Sequence, residues 1–325
     1  MTMSRLTLAL MLSLSLPAMA SAETLKLYTS QPNEDAQKTV DAFEAANPDI
    51  TVEWVRDGTT QLMTRMAAEM EAGAGQPDVL LIADTVTLEG LAQEGKLTAY
   101  VSPEAEGYDP ALYSAEGYYY STKLITTGIV YNTGAAEVPT SWADLEKPEY
   151  KGMIASPSPL YSGAALIHLA AVTNDPTLGW EHYEALAANE TVAQGGNGGV
   201  FTAVAAGEKP YGVLVDFMAL RAKAEGSPVD FVFPSEGVTY VTEPVAIMEG
   251  AANMEAAQKF VDFVLSEEGQ QLVVDMGYIP ARNGLESPEG FPARDSIKLM
   301  DFDAAKALAD TEANKARFSE IFGVQ

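Results

Sequence analysis

Hydrophobic and polar positions alternate in two distinct periods along this chain. Residues 24–29 alternate apolar and polar side chains, which predicts a half-buried strand, whereas residues 33–46 place Ala36, Val40 and Phe43 at helical spacing. The remaining predicted strands are 50–55, 78–83, 125–131, 211–215, 231–234 and 240–248, and the remaining predicted helices are 61–72, 164–172, 200–207, 255–265 and 303–321.

The order of these elements predicts the fold class. Residues 78–83 (DVLLIA) form a short continuous apolar run, which is typical of a strand buried on both faces of a parallel sheet. A strand-helix-strand-helix-strand order at the start of the chain implies right-handed crossovers. We therefore predict an α/β protein.

Two glycine-containing breaks each precede a predicted helix. Residues 195–199 (GGNGG) precede helix 200–207, and residues 161–163 (YSG) precede helix 164–172. The start of a helix has unpaired N–H groups and the positive end of the helix dipole, so it attracts anions. Loop geometry alone also explains a glycine-rich turn, because glycine adopts positive φ without strain.

The position of the breaks favours a ligand site over simple turns. Both follow strand-like segments, and ligands of open α/β sheets bind beyond the carboxyl ends of the strands. Asp216 follows strand 211–215 and is expected at the same edge. The sequence therefore predicts an anion site that contains both breaks.

The first 22 residues predict a cleaved signal peptide. Arg5 precedes the apolar run 6–16, and Ala20-Ser21-Ala22 is a small-residue cleavage site, so the mature chain is expected to begin at Glu23. The run is too short to span a bilayer, and no later run of about 18 apolar residues follows. We expect a soluble, exported protein of the periplasm that is not membrane-embedded.

Composition excludes several classes of function. The 325 residues are 47% hydrophobic, which indicates a globular chain, and the absence of cysteine excludes disulfides and thiolate sites. A formal net charge of −27 argues against nucleic acid as a partner, because binding it requires a basic face. The acidity fits a solvated surface or a cationic ligand, and net charge does not distinguish them.

Catalytic and metal-binding patterns are weak. His168 lies in an apolar helical run and is expected in the core, whereas His182 is expected on a helix surface. Neither histidine stands at metal-ligand spacing from another, and the HExxH, Walker A and GxSxG patterns are missing from the sequence. We expect no catalytic residue, no metal and no cofactor; a phosphoester-processing enzyme is the least favoured alternative.

Several long segments resemble one family. LKLYTSQPNEDAQKTVDAFEAANPDITV, QPDVLLIADTVTLEGLAQEGKLTAY, EAAQKFVDFVLSEEGQQLV and residues 142–152 resemble the periplasmic solute-binding proteins of ABC importers. The resemblance covers nearly the whole mature chain and is to the type II group, which includes ferric-ion, thiamine, 2-aminoethylphosphonate and sugar-phosphate binders.

This resemblance implies an architecture and a role. Two α/β lobes joined by a two-segment hinge are expected, one formed by residues 23–115 and 243–285, the other by 116–242 and 286–325. The implied role is capture of a small-molecule solute and its delivery to the transmembrane subunits of an ABC permease, by a monomer that does no chemistry on the solute. A receptor-docking or sensor protein is an alternative.

The resemblance also bears on iron. Ferric-ion relatives bind the metal through a histidine, a glutamate and two adjacent tyrosines, and the matching positions here are Pro32, Ala83 and Phe217-Met218. None of these side chains is a ligand for a trivalent ion. A ferric site with a non-standard ligand set stays an alternative, as does a thiamine or polyamine site.

The anion cradle of the same relatives is retained. Ser162, Gly163 and Ala164 match the positions that bind the accessory phosphate of the iron binders, and Asn197 matches a side-chain donor to it. A cradle retained without metal ligands implies that the phosphate or phosphonate is part of the solute. 2-Aminoethylphosphonate is the favoured solute.

Eight further residues complete the predicted site. Ser30, Gln31, Thr59 and Thr60 are candidate donors from the opposite lobe, although Thr59 and Thr60 also fit plain N-capping. Asp216 and Glu243 are candidate acceptors for an ammonium group or for sugar hydroxyls. Tyr161 and Phe217 are candidate walls of the pocket, and they also fit plain core packing.

Overall fold

The computed structural model of this protein describes residues 23–324, which form two mixed β-sheets with helices packed around them. The predicted signal peptide, residues 1–22, lies outside the described residues. In the described part of the chain, no helix is both long enough and apolar enough to cross a membrane.

The elements follow each other in an alternating α/β order. The strands are β1 (Glu23–Thr29), β2 (Ile50–Arg56), β3 (Val79–Leu81), β4 (Leu97–Thr98), β5 (Lys123–Asn132), β6 (Ile154–Ser156), β7 (Val192–Ala193), β8 (Tyr211–Val215), β9 (Val229–Val232), β10 (Thr239–Val241), β11 (Val245–Met248) and β12 (Ile279–Pro280). The α-helices are α1 (Asn33–Ala46), α2 (Thr59–Glu71), α3 (Thr85–Gln93), α4 (Gly163–Asn174), α5 (Gly179–Ala188), α6 (Asn197–Ala205), α7 (Asp216–Ala224), α8 (Met254–Leu265), α9 (Glu267–Asp275) and α10 (Ala304–Phe322).

The first sheet has the order β2-β1-β3-β11-β4. β1 runs parallel to β2 and β3, whereas β11 is antiparallel to β3 and β4. Leu25 and Leu27 of β1 are buried in a core that includes Phe43 of α1 and Phe260 of α8. The rings of Phe43 and Phe260 meet edge to face at 5.0 Å, so α1 and α8 cover one face of this sheet.

The second sheet is organised around β5. Its main path is β10-β5-β8-β6-β7, and β9 and β12 also pair with β5. β6 and β8 are parallel, so their carboxyl ends meet at one edge, where α4 and α7 follow. In both lobes, the ends of strands and the starts of the following helices therefore face the space between the two sheets.

The chain passes between the two sheets three times: from β4 to β5, through the short link between β10 and β11, which contains Glu243, and from β11 through α8 and α9 to β12. This is the predicted two-lobed α/β architecture. β12 pairs with Leu124 and Lys123 at the start of β5, although the predicted boundary grouped it with the first lobe; the boundaries themselves stay a prediction.

Several predicted elements differ from the observed ones at their ends. α6 begins at Asn197, so the residue expected in a loop is the first residue of the helix. α2 begins at Thr59 after the N-cap Gly58, so N-capping by Thr59 and Thr60 was wrong. The sequence pattern missed α3, α7 and α9, which are short helices of nine residues each.

Candidate functional site

A cavity of about 540 Å³ lies between the two lobes. The first lobe lines it with residues from the ends of β1 and β2 and the start of α2, and the second lobe with the starts of α4, α6 and α7. Nine of the twelve predicted site residues line this cavity: Ser30, Thr59, Tyr161, Ser162, Gly163, Ala164, Asn197, Phe217 and Glu243.

The first residues of four helices line the cavity. They are Asn33, Thr59, Gly163 and Asn197, which start α1, α2, α4 and α6. α4 is capped by Ser162, whose Oγ accepts a hydrogen bond from the N–H of Ala165 at 3.3 Å. Among the described side chains, none caps α1, α2 or α6, so N–H groups of their first turns are available to a ligand, except that of Gly199, which donates to the Gly196 backbone oxygen at 3.1 Å.

Two buried side-chain atoms at the cavity need a partner. Thr59 Oγ1 and Asn197 Oδ1 have no hydrogen-bond partner among residues 23–324. The Asn197 Nδ2 group donates to Ser162 Oγ at 3.3 Å, which joins the two predicted cradle segments. Buried polar atoms are nearly always hydrogen-bonded in native proteins, so the Thr59 hydroxyl and the Asn197 carbonyl oxygen, which is an acceptor, are candidate contacts for a ligand.

Arg56 is a cavity residue that the sequence pattern missed. It is the last residue of β2, and its Nε donates to the backbone oxygen of Gln31 at 2.8 Å. This bond holds the side chain at the cavity and leaves both terminal nitrogens for a ligand. Asp216 was predicted at the site because it directly follows a predicted strand. Arg56 directly follows the predicted strand 50–55, so the same argument applies to it.

Tyr161 joins the two lobes across the cavity. Its ring lies between Gly58 of the first lobe and Gly196 of the second, and its hydroxyl donates to Asp57 Oδ1 at 3.0 Å. A β-carbon at Gly58 would lie 2.5 Å from the Tyr161 backbone oxygen, and one at Gly163 would lie 2.7 Å from the Ala83 oxygen. The lobes are thus closed on each other, and glycine is needed at both contacts.

Glu243 is already paired inside the protein. Its carboxylate forms an ion pair with Lys123 Nζ at 2.5 Å and accepts a hydrogen bond from Gln31 Nε2 at 3.3 Å. Burial raises the pKa of the Glu243 carboxyl, and the Lys123 ammonium acts in the opposite direction. Glu243 also has a left-handed backbone with φ of 39°, a strained conformation for a non-glycine residue, at the link between the lobes.

Asp216, Gln31 and Thr60 lie outside the cavity lining. Asp216 is only 1% exposed, and its carboxylate accepts hydrogen bonds from the N–H and hydroxyl of Thr126 and from the N–H of Phe217. Its predicted role as a ligand for an ammonium group has no support in this geometry, because its oxygens already have partners. The Gln31 Nε2 group donates to Glu243, whereas its Oε1 has no partner among the described residues.

The positions that bind iron in the ferric-ion relatives also reach the cavity. Pro32, Ala83, Phe217 and Met218 all line it, and they supply only apolar side chains. Within residues 23–324, no three His, Asp or Glu side chains converge as a metal site.

The two histidines have packing roles. Burial lowers the pKa of His168 to about 3, and its Nδ1 lies 3.0 Å from the Thr239 hydroxyl. His182 was expected on a helix surface, but it is buried, and its Nδ1 lies 2.7 Å from Glu146 Oε1. Neither residue lines the cavity.

Comparison with known proteins identifies the family. The model of the family described as bacterial extracellular solute-binding protein matches residues 29–271. An uncharacterized protein of Haemophilus influenzae is 29% identical over 316 residues, which are 90% of this chain and 88% of that protein. Spermidine/putrescine-binding periplasmic protein 1 of the same organism is 30% identical over 188 residues, 53% of this chain and 52% of that protein.

Solved structures show the same fold. The periplasmic binding protein AfuA of Actinobacillus pleuropneumoniae, with exogenous fructose-6-phosphate bound, superposes with a TM-score of 0.84 at 23% identity and covers 94% of this chain and 100% of its own. Iron-bound HitA of Pseudomonas aeruginosa has a TM-score of 0.78 at 22% identity and covers 91% and 99%. These two-lobed binding proteins confirm the predicted fold class.

Asp216 generates a prediction about stability. Burial raises the pKa of its carboxyl from 3.8 to about 6, so the folded state holds this proton more tightly than the unfolded state. Its contribution to the free energy of unfolding is complete below about pH 4 and is lost as the pH rises through about 6. In Asp216→Asn, the fall in the free energy of unfolding between pH 4 and pH 7 should be smaller by up to about 3 kcal/mol. Urea unfolding at pH 4, 5, 6 and 7 measures this difference.

The exposed carboxylate Asp301 provides the control for this measurement. Asp301→Asn should leave the pH dependence of unfolding as it is in the original chain. A pH dependence of Asp216→Asn that equals that of the original chain would show that Asp216 is not the titrating group.

Proposed function

Because the chain belongs to the bacterial extracellular solute-binding protein family, we propose that it captures a phosphate- or phosphonate-bearing organic solute in this cavity. It then delivers the solute to the membrane permease of an ABC importer. The predicted signal peptide supports action in the periplasm. The observation that carries the proposal is the convergence of uncapped helix starts, the unpartnered Thr59 hydroxyl and Arg56 on one cavity.

A phosphoryl group fits this set of donors. It has three terminal oxygens that accept several hydrogen bonds each, and the cavity offers backbone N–H groups, hydroxyls and a guanidinium. The helix dipoles add positive potential at the same place. Charge-assisted hydrogen bonds contribute about 1.5–3 kcal/mol each, so four to six are enough for submicromolar binding after ordering costs.

Binding is proposed to proceed by lobe closure. The second lobe holds Ser162, Gly163 and Asn197 on adjacent helix starts, so it engages the phosphoryl group first. Closure of the first lobe then adds Thr59 and Arg56 and excludes water from the bonds already made. The Tyr161–Asp57 hydrogen bond forms between the closed lobes.

Two alternative solutes have less support. A polyamine, as the name of the spermidine/putrescine relative suggests, carries several cations and needs unpaired carboxylates. Among the described lining residues, Glu243 is the sole carboxylate, and Lys123 pairs with it. A ferric ion needs oxygen or imidazole ligands, and the corresponding positions are apolar.

A thermal shift panel tests the proposed class of solute. Inorganic phosphate, organic phosphates, phosphonates, thiamine, putrescine and ferric citrate are compared at equal concentration. The proposal expects a rise in Tm with phosphate-bearing compounds. A rise with putrescine or a ferric salt, and none with any phosphate-bearing compound, would overturn it.

Variants of the cradle generate the next prediction. Ser162→Ala and Asn197→Ala each remove a donor, and Arg56→Gln removes the cation, so each should weaken the best phosphate-bearing solute by at least about tenfold. Isothermal titration calorimetry measures the effect. Arg65→Gln is the control for Arg56→Gln, because Arg65 lies on the surface of α2 paired with Glu69. Unchanged affinity in all three cradle variants would remove the basis of the proposal.

Closure generates a separate prediction. Gly58 has φ of −60° and ψ of 146°, which alanine adopts without strain, but a β-carbon there collides with Tyr161 of the other lobe. Gly58→Ala should therefore weaken solute binding by at least about tenfold while the Tm of the solute-free protein changes by only a few degrees. The control is Gly134→Ala in an exposed turn, which should bind as the original chain does. Equal affinities of both variants would contradict closure in this geometry.

A further inference from the structure

We infer that the solute carries an uncharged aromatic body next to its phosphoryl group. This inference rests on the proposed function and names the class of phosphate-bearing solute. It follows from an apolar wall of the cavity, formed by Ile125, Val215, Phe217, Met218 and Val241 of the second lobe.

The wall is apolar, and contacts with neighbouring side chains hold its Phe217 ring in place. The Phe217 ring packs on the Tyr278 ring with centroids 4.4 Å apart, and the Arg221 guanidinium lies 4.7 Å from the Phe217 ring. Arg221 is in turn bound to both oxygens of Asp35 at 3.1 Å, so it cannot turn towards the cavity without losing that pair. The wall therefore presents a preformed apolar surface.

Hydroxyl-rich solutes fit this surface poorly. The wall side chains offer neither donors nor acceptors, so sugar hydroxyls placed against them would lose hydrogen bonds to water without replacement. The polar groups of the cavity lie at the helix starts and at Arg56, where the phosphoryl group takes them. An apolar body instead gains from burial against the wall.

Charged bodies fit no better. Arg56 and Glu243 are the only charged side chains among the described lining residues. Arg56 is committed to the phosphoryl group, and Glu243 to Lys123 and Gln31. An ammonium group, as in 2-aminoethylphosphonate, would have no unpaired carboxylate at the cavity. The body is therefore uncharged.

The size of the cavity and its rings favour an aromatic body. A volume of about 540 Å³ lies within the roughly 300–1,000 Å³ of sites that bind drug-sized ligands, so it leaves room beyond a phosphoryl group. The Phe217 and Tyr161 rings both line it. Aromatic rings stack favourably on each other in offset or edge-to-face arrangements.

Calorimetry with four probes tests this inference. Phenyl phosphate, fructose 6-phosphate, 2-aminoethylphosphonate and inorganic phosphate are titrated into the full mature chain. Phenyl phosphate should bind at least about tenfold more tightly than the other organic probes. Tighter binding of fructose 6-phosphate or 2-aminoethylphosphonate would overturn the aromatic body and leave the proposed phosphate site standing.

Two variants of the wall distinguish binding of the aromatic group from binding of the phosphoryl group. Val241→Thr and Met218→Gln add polar atoms to the wall at nearly constant volume. Both should weaken phenyl phosphate by at least about fivefold and leave inorganic phosphate unchanged, whereas Ser162→Ala should weaken both probes. Equal effects of the wall variants on both probes would overturn the inference, and failure of every probe, inorganic phosphate included, would overturn the proposed function with it.

Discussion

Unpaired backbone N–H groups at the starts of helices are the constraint on which this site depends. An α/β fold ends each parallel strand where the next helix begins, so both lobes direct helix starts at the space between them. At α1, α2 and α6 no described side chain caps the first turn, so N–H groups at these helix starts lack side-chain acceptors. An anion between the lobes satisfies donors that neither lobe satisfies by itself.

Close approach of the lobes is the second requirement. Gly58, Gly163 and Gly196 stand where the lobes meet, and at each of them a β-carbon would come within 3.0 Å of atoms across the cleft or of Tyr161. These glycines bring backbone donors of both lobes close to one ligand. The buried Lys123–Glu243 pair lies at the adjoining link between the lobes, so the only carboxylate among the described lining residues is neutralised where a cation would otherwise bind.

Local patterns predicted most of the fold and the centre of the site. α1 and β8 were predicted with the observed bounds, because their apolar spacing is regular, and the resemblance identified Ser162, Gly163, Ala164 and Asn197, which all line the cavity. Contacts distant in sequence were not predictable: Asp216 is held by Thr126, Glu243 by Lys123, and His182 by Glu146. Arg56 was overlooked because a polar residue at a strand end is common on surfaces, although the strand-end argument applied to it, and the structure shows that it lines the cavity.

The most direct test of the anion cradle is an amide ¹H–¹⁵N spectrum recorded while a phosphate-bearing solute is added. The account predicts that the largest shifts occur at the N–H groups of Gly163, Ala164, Asn197 and Gly198, with smaller shifts at Thr59 and Thr60. Those amides form hydrogen bonds to the anion directly. Saturable shifts confined to other parts of the chain, with the N–H groups of 163–164 and 197–198 unmoved, would contradict it.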